Sequence, residues 1–222
     1  MVEKIVVGYL NTNAYLYSVW KKECVIIDPG GDTKHILQQM VKKNLTPKMI
    51  VLTHGHLDHI LAAGEIRDHF LEKGLELPIA IHTLDKHYLG KSAIQAHSQS
   101  LSMFEFDMAF KIREQIEKLP EATVELKEGD TILDSDLTVL HTPGHTRGSI
   151  CLYSESAATL LSGDSLFFGS IGRTDMQGGS EPDLMKSIKE KLFILPDVTR
   201  VFTGHGRDTN IEREKKHNSF VQ

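Results

Sequence analysis

Three histidines and one aspartate lie within six consecutive positions of the segment Thr53-His54-Gly55-His56-Leu57-Asp58-His59. The apolar run 49–52 before them predicts a short buried strand, and residues 60–71 after them predict a helix. Loops between a strand and a helix are where a rigid scaffold presents functional groups. Imidazoles and carboxylates at this density indicate a metal site, because without an ion they would crowd at a cost in desolvation and like-charge contact.

The spacing within this segment divides the four groups into two pairs. Side chains alternate along an extended backbone, so His54 and His56 point the same way. Asp58 and His59 fall at the predicted helix start and point elsewhere. The segment therefore offers ligands to two adjacent points, as a site with two ions about 3.5–4 Å apart requires.

Glycine-flanked histidine or aspartate residues recur after three further apolar runs. Glycine lets the backbone turn sharply and approach an ion closely. One such residue would be weak evidence, but three of them predict further ligands at strand ends. They are His145 after the run 137–140, Asp164 after the run 158–163 and His205 after the run 200–203.

The remaining histidines and the two cysteines have simpler interpretations. We expect five histidines on polar helical stretches to be incidental surface residues. We expect both cysteines to be buried, reduced thiols, because each lies in an apolar strand-like run. The residues concerned are His35, His69, His87, His97, His217, Cys24 and Cys151.

The motifs taken together resemble one protein family. Their order is His-x-His-x-Asp-His, Thr-Pro-Gly-His-Thr, Ser-Gly-Asp and Thr-Gly-His-Gly, and Asp28-Pro29-Gly30-Gly31 and Gly172-Arg173-Thr174-Asp175 add to it. This order resembles the metallo-β-lactamase superfamily over nearly the whole chain, and within it the glyoxalase II-like hydrolases are most similar. The resemblance implies one metal on His54, His56 and His145, a second on Asp58, His59 and His205, and a bridging Asp164 with a shared water or hydroxide.

The implied ligands are five imidazoles and two carboxylates, which suit zinc, iron or manganese. No cysteine occupies a ligand position, so thiolate selection of the metal is absent. Seven ligands for two ions leave coordination positions for water and substrate, as catalysis requires. We expect two divalent transition-metal ions, with zinc as the default and iron or manganese as alternatives.

Length and composition agree with a single compact enzyme. The chain has 222 residues, 40% hydrophobic and 25% charged, and a net charge of −5. These values are typical of one folded α/β domain over residues 1–222 and do not indicate disorder or a nucleic-acid partner. No run of about 20 apolar residues predicts a membrane span, and the first residues do not resemble a signal peptide. We therefore expect a cytoplasmic protein, and nothing in the sequence assigns an oligomeric state.

The predicted elements place strands and helices in both halves of the chain. This pattern indicates an α/β (α+β) fold, and the resemblance implies a four-layer αββα sandwich. Asp32 is the expected N-cap of the first helix. Strands are predicted at 4–10, 14–20, 23–27, 49–52, 79–81, 123–126, 137–140, 150–153, 159–161 and 200–203, and helices at 33–43, 60–71 and 182–192.

A predominantly apolar stretch at residues 92–119 does not belong to the motif-bearing elements. Phe106, Phe110, Arg113 and Glu117 share helical spacing within it. Three interpretations stay open: a helix packed on the core, a lid over the metal site, or a dimer contact.

Two further motifs have both structural and functional interpretations. Asp28 begins a Pro-Gly-Gly turn, and its carboxylate can serve turn chemistry or support a metal ligand from behind. Arg173 and Asp175 lie on a glycine-rich loop, where an Arg–Asp pair and a substrate contact are both consistent with the pattern.

The predicted reaction is metal-assisted hydrolysis of a thioester. Two ions lower the pKa of a shared water toward about 7, and the resulting metal-bound hydroxide attacks a polarised carbonyl. A thiolate leaves without a strong general acid, and Asp58 or Asp164 orients the water. The glyoxalase II-like resemblance implies a small-molecule S-acyl thiol such as S-lactoylglutathione.

One departure bears on that substrate. Full-length glyoxalase II enzymes carry a C-terminal helical domain that helps to hold glutathione, whereas residues 208–222 leave room for one short helix. We expect the basic residues Arg213, Lys215 and Lys216 there to form a solvated face. Glutathione binding is then weak, different, or provided by residues 92–119.

Three other functions remain compatible with the pattern. A persulfide dioxygenase-like oxidoreductase would hold one iron on His54, His56 and His145 with Asp164. A lactonase, β-lactamase or phosphodiesterase would keep the ligands and change the pocket. A non-catalytic binding module would be expected to lack ligands, and none is missing here.

Overall fold

The structure is a computed structural model that describes residues 1–221. The chain divides into two compact units. The first comprises Met1–Ile81 and Lys86–Glu125, and the second comprises His82–Asp85 and the chain from Leu126 onward. The expectation of one domain over residues 1–222 stays a prediction.

The first unit is built on a six-stranded mixed sheet in the order β1-β2-β3-β4-β5-β6. Strands β1, β2 and β3 pair antiparallel, whereas β3, β4 and β5 run parallel. The carboxyl end of β4 leads into residues 53–59, the segment that contains the first predicted ligands. The strands are β1 (Val2–Val7), β2 (Thr12–Trp20), β3 (Glu23–Ile27), β4 (Thr46–Val51), β5 (Ile79–His82) and β6 (Val124–Leu126).

Helices of the first unit bury apolar side chains in a core that includes Ile26 and Ile50 of the sheet. The apolar stretch at residues 92–119, which we expected to be a helical insert, begins at the end of a 3-10 turn and contains three separate helices. Ile112 and Ile116 of the last helix are buried in the same core. The helices are α1 (Thr33–Lys43), α2 (Leu57–Ile60), α3 (Ala63–Leu71), α4 (Ala93–Ala96), α5 (Ser98–Leu101) and α6 (Phe106–Glu117). The packed-helix interpretation therefore holds for one face of α6, while Phe106 and Phe110 on the other face are exposed.

The second unit contains a five-stranded sheet in the order β13-β12-β9-β8-β7 and a small hairpin, β10-β11. Strands β9 and β12 are parallel neighbours, so their carboxyl ends, which precede Asp164 and His205, meet at one edge. The strands are β7 (Leu137–His141), β8 (Ile150–Ser154), β9 (Thr159–Gly163), β10 (Leu166–Phe167), β11 (Ser170–Ile171), β12 (Arg200–Thr203) and β13 (Thr209–Asn210).

Two capped helices complete the second unit. Ser180 caps α7 (Glu181–Ser187) by accepting a hydrogen bond from the Asp183 amide. Asn210 caps α8 (Ile211–His217) in the same way. Leu184, Ile188 and Ile211 pack with Leu160 and Val201 of the sheet.

Several predicted boundaries are wrong for identifiable reasons. The first strand ends at Val7 rather than residue 10, because Gly8 has a φ of 71° and begins the turn to β2. Asp32 occupies the N-cap position of α1, but its carboxylate accepts a hydrogen bond from the Gly8 amide instead of capping the helix. The helix predicted at 60–71 is two helices, α2 and α3, and the one at 182–192 ends as a π-helical turn, Ile188–Leu192.

The described helices are too short to cross a bilayer. The longest, α6, has 12 residues, whereas a span needs about 20 apolar residues.

Candidate metal centre

Strand β4 leads directly into the first ligand set, whose imidazoles lie together in the first unit. The ring of His54 lies 4.8 Å from that of His56 and 4.2 Å from that of His59, measured between centroids. All three side chains are buried. Residues 54, 56 and 59, three of the predicted ligands, are thus brought together.

A buried carboxylate orients His59 from behind. Asp28 Oδ2 lies 2.9 Å from His59 Nδ1, and the same carboxylate accepts hydrogen bonds from the backbone and hydroxyl of Thr53. A proton held on Nδ1 leaves the Nε2 lone pair for a metal, which is the usual role of a carboxylate behind a ligating histidine. Ligand atoms of Asp28, His54 and His59 lie within 4.8 Å of one another, but the bonds of Asp28 identify it as the supporting member.

Asp58 is positioned by two contacts of the first unit. Its Oδ2 atom accepts a hydrogen bond from the hydroxyl of buried Thr12 at 3.1 Å and lies 3.4 Å from His59 Nε2. Gly30 packs against the Asp58 backbone so closely that a Cβ there would overlap the carbonyl oxygen. The Asp-Pro-Gly-Gly turn thus supports both ligands of the Asp58–His59 pair.

The second unit brings its three predicted ligands together around one carboxylate. Asp164 Oδ2 lies 3.6 Å from His145 Nε2 and 3.6 Å from His205 Nε2. Gly204, at the end of β12, lies against Asp164 Oδ1, where a Cβ would overlap the carboxylate. A single carboxylate oxygen equidistant from two imidazole nitrogens is the arrangement expected of a bridging ligand.

The glycine-rich loop that contains Arg173 and Asp175 supports His145 through its backbone. The carbonyl oxygen of Arg173 lies 2.8 Å from His145 Nδ1, which directs Nε2 toward Asp164. The Arg173 side chain forms a two-point ion pair with Asp175, at 2.7 and 2.8 Å, and both groups are exposed. This pair lowers the pKa of Asp175 to about 2 through the hydrogen bonds that Arg173 donates.

The separations between donor atoms fit coordination to an ion. Two ligand atoms that each lie about 2.0–2.2 Å from a tetrahedral ion are about 3.3–3.6 Å apart. The pairs described above are 3.4 Å apart for Asp58–His59 and 3.6 Å apart for His145–Asp164 and His205–Asp164. These distances exceed a normal hydrogen bond, and the pairs are spaced as two ligands of one ion would be.

Comparison with known proteins assigns the family. Residues 7–205 match the family described as the metallo-β-lactamase superfamily. The chain belongs to the metallo-β-lactamase superfamily. A probable metallo-hydrolase of Bacillus subtilis, YqgX, is 36% identical over 97% of this chain and 94% of its own. A hydroxyacylglutathione hydrolase of Haemophilus influenzae, GloC, is 35% identical over 99% and 97%.

Solved structures agree with this membership. The crystal structure of the BLEG-1 B3 metallo-β-lactamase shares 38% identity and a TM-score of 0.86, covering 100% of this chain and 99% of that one. A second structure, described as a di-iron-bound form, shares 33% identity and a TM-score of 0.81, covering 98% and 99%. The predicted α/β fold class is thereby confirmed as the metallo-β-lactamase fold. The chain is a metallo-hydrolase-family enzyme with histidine and aspartate clusters suited to divalent metals.

Asp85, which was not predicted from the sequence, supports the His145 loop. Its buried carboxylate accepts hydrogen bonds from the Thr146 hydroxyl at 2.7 Å and from the Gly148 amide at 2.8 Å. Ser149 completes the loop by accepting a hydrogen bond from the Thr146 amide. No local motif marks Asp85, which lies 61 positions from Thr146, so only the folded chain shows the contact.

We expect Asp85→Asn to lower the free energy of unfolding by about 1–3 kcal/mol. The amide has one acceptor oxygen in place of two, so one of the two buried donors on the His145 loop loses its partner. The measurement is urea unfolding of the metal-free protein, with Asp134→Asn, an exposed aspartate of the same unit, as control. An Asp85→Asn midpoint equal to that of the control would show that the carboxylate does not hold the loop.

The other histidines and the cysteines mostly match expectation. His35, His87 and His217 are exposed and His69 is half-buried, whereas the surface interpretation of His97 is wrong. His97 is buried with Nε2 3.0 Å from the Tyr88 carbonyl oxygen, and burial lowers its pKa to about 4. Both cysteines are buried and free, as predicted, and burial raises the thiol pKa to about 12 for Cys24 and about 11 for Cys151.

Proposed function

We propose that this enzyme is a binuclear metal hydrolase that cleaves thioesters of small-molecule thiols. In this proposal the ligands are the seven residues named from the sequence, at positions 54, 56, 58, 59, 145, 164 and 205. The observation that carries the metal assignment is the position of the Asp164 carboxylate, 3.6 Å from the Nε2 atoms of both His145 and His205. A carboxylate between two imidazoles offers negative charge where two cations would repel each other.

Hydrogen bonds within the protein orient several of the proposed ligands before any ion binds. Asp28 and the Arg173 carbonyl fix the orientation of His59 and His145, so neither ring must reorient on binding. Thr12 donates to Asp58 and holds its carboxylate beside His59, where Asp58 can also orient a water molecule. When bound, a pair of divalent ions supplies an activated water and polarises the substrate carbonyl.

The donor chemistry supports transition metals without selecting one. Imidazoles suit zinc and iron, and carboxylates accommodate manganese as well. A similar structure described as di-iron-bound supports iron as an alternative to zinc. We propose zinc as the default occupant and iron or manganese as the alternatives.

Two considerations support a thioester as substrate. A relative that covers nearly the whole chain is named a hydroxyacylglutathione hydrolase. A thiolate also leaves without protonation by a strong general acid, which suits a site whose proposed residues are metal ligands. A β-lactam is the second candidate, because a similar structure is described as a B3 metallo-β-lactamase.

We expect the metal-loaded enzyme to hydrolyse thioesters with a higher kcat/KM than β-lactams, lactones or phosphodiesters. The test is a panel of S-lactoylglutathione, nitrocefin, a simple lactone and bis(4-nitrophenyl) phosphate. Chelator-treated enzyme reloaded with zinc, iron or manganese provides the matched control for metal dependence. Clear nitrocefin or phosphodiester turnover without thioester turnover would contradict the proposal.

A further inference from the structure

The hairpin that follows Asp164 presents a phenylalanine between two arginines. Phe168 lies in the turn between β10 and β11. The guanidinium carbons of Arg207 and Arg213 each lie 3.3 Å from the centroid of its ring. Two guanidinium groups cannot share one face at that distance, so they stack on opposite faces, separated only by the ring.

The charges around this ring do not balance. Arg213 Nη1 donates to Glu214 Oε1 at 2.5 Å, and buried Glu214 also accepts from the Gly169 amide and the Asn218 side chain. Glu214 therefore balances one guanidinium. Within residues 1–221 no carboxylate forms an ion pair with exposed Arg207, which leaves one positive charge in excess.

Arg207 and the hairpin that carries Phe168 are both connected to the second ligand set. Arg207 follows His205 by two residues, and the ring of Phe167, adjacent to Phe168, lies 6.1 Å from the His205 ring. His205 in turn lies 3.6 Å from Asp164. Arg207 and the hairpin that carries Phe168 thus both adjoin the second ligand set, one along the chain and the other through Phe167.

Stacking also preserves the binding capacity of the guanidinium. The ring occupies its face, whereas all its N–H donors lie in the plane and point outward from its edge. A guanidinium group held in place by a cation–π contact is preorganised to donate two parallel hydrogen bonds to a carboxylate or phosphate. Arg213, expected from the sequence to belong to a solvated face, is instead part of this stacked arrangement.

We propose that Arg207, stacked with Arg213 around Phe168, binds an anionic group on the thiol portion of the substrate. The inference rests on the proposed thioesterase function and narrows its substrate class to thioesters of anionic thiols. Carboxylate and phosphate share the required chemistry, so the source of the anion is decided by experiment. Arg207 is the residue to change, because removing Arg213 would leave buried Glu214 without its cation.

Direct binding tests the site without turnover. S-methylglutathione carries carboxylates and S-methyl-coenzyme A carries phosphates, and neither has an acyl group to cleave. Calorimetric titration of the metal-loaded enzyme should show binding of at least one probe, weakened about tenfold or more in Arg207→Met. Arg200→Met is the matched control, because exposed Arg200 also lies over a phenylalanine, Phe202, at 4.7 Å, and we expect it to leave binding unchanged.

Kinetics identify the anion and separate this inference from the proposed function. S-lactoylglutathione, acetyl-coenzyme A and the uncharged S-acetyl-N-acetylcysteamine are compared as substrates. Arg207→Met should raise KM about tenfold for the preferred anionic thioester and change kcat/KM for the uncharged one by less than about twofold. Whichever charged substrate responds identifies carboxylate or phosphate.

Each remaining outcome is decisive. Equal losses on charged and uncharged substrates, unchanged kinetics on all three, or a wild-type enzyme that binds neither probe would overturn the anion site. If the wild type cleaves no thioester, the proposed function fails, and the titration alone decides the site. In that case weaker probe binding by Arg207→Met supports it, and equal binding by both proteins overturns it.

Discussion

Asp164→Asn is expected to lower kcat by at least about 100-fold and to weaken binding of both metal ions together. Loss of an outer-shell partner already reduces metal affinity or activity by about 10–100-fold, and a bridging ligand contributes more directly. The amide keeps the size of the side chain but removes the negative charge that lies 3.6 Å from both His145 and His205. The measurements are kcat on the preferred substrate and metal content after gel filtration.

His205→Ala is the matched comparison for Asp164→Asn. In the proposed arrangement His205 binds one ion, so its loss should deplete mainly one site and leave the other filled. Circular dichroism of both variants controls for folding. An Asp164→Asn enzyme that retains two tightly bound ions and near-normal turnover would show that Asp164 is not the bridge.

His56→Ala is expected to reduce kcat by at least about 100-fold and to weaken the first metal site selectively. His56 is buried at the start of α2, and its ring lies 4.8 Å from that of His54. Removing the imidazole deletes a donor that no neighbouring side chain of the same segment can replace. Metal content and kcat are measured as for Asp164→Asn.

His87→Ala controls for the loss of an imidazole as such, because His87 is exposed. It should keep wild-type metal content and turnover. If His56→Ala behaves like His87→Ala, the assignment of His56 as a ligand is wrong.

The local pattern of apolar and polar residues predicted the strands and helices in which apolar residues recur at a regular spacing. Strand Glu23–Ile27 and helix Thr33–Lys43 have the bounds expected from the sequence, because apolar runs there end at turn-forming residues. The two-residue strands Leu166–Phe167 and Ser170–Ile171 were not predicted, since two residues cannot show an alternating pattern.

The proposed ligands could be named from the sequence because each belongs to a motif that follows a strand, whereas most of the groups that support them could not. From the sequence, Asp28 could be read only as a turn residue or as a support for a metal ligand, and the fold places its carboxylate against His59. Nothing in the sequence indicated that Asp85 or the Arg173 carbonyl supports a ligand. A single carboxylate and a backbone oxygen act here through contacts with residues that are distant in the chain. The pairing of Arg207 and Arg213 through Phe168 also requires the folded hairpin.

The central claim, a binuclear centre, is tested most directly by the metal content of the purified enzyme. The protein is stripped with chelator, reloaded separately with zinc, iron and manganese, desalted, and analysed by inductively coupled plasma mass spectrometry against protein concentration. The proposed ligand set predicts two ions per chain with at least one of these metals. A stoichiometry that stays at one ion per chain under metal-replete conditions with all three would contradict it.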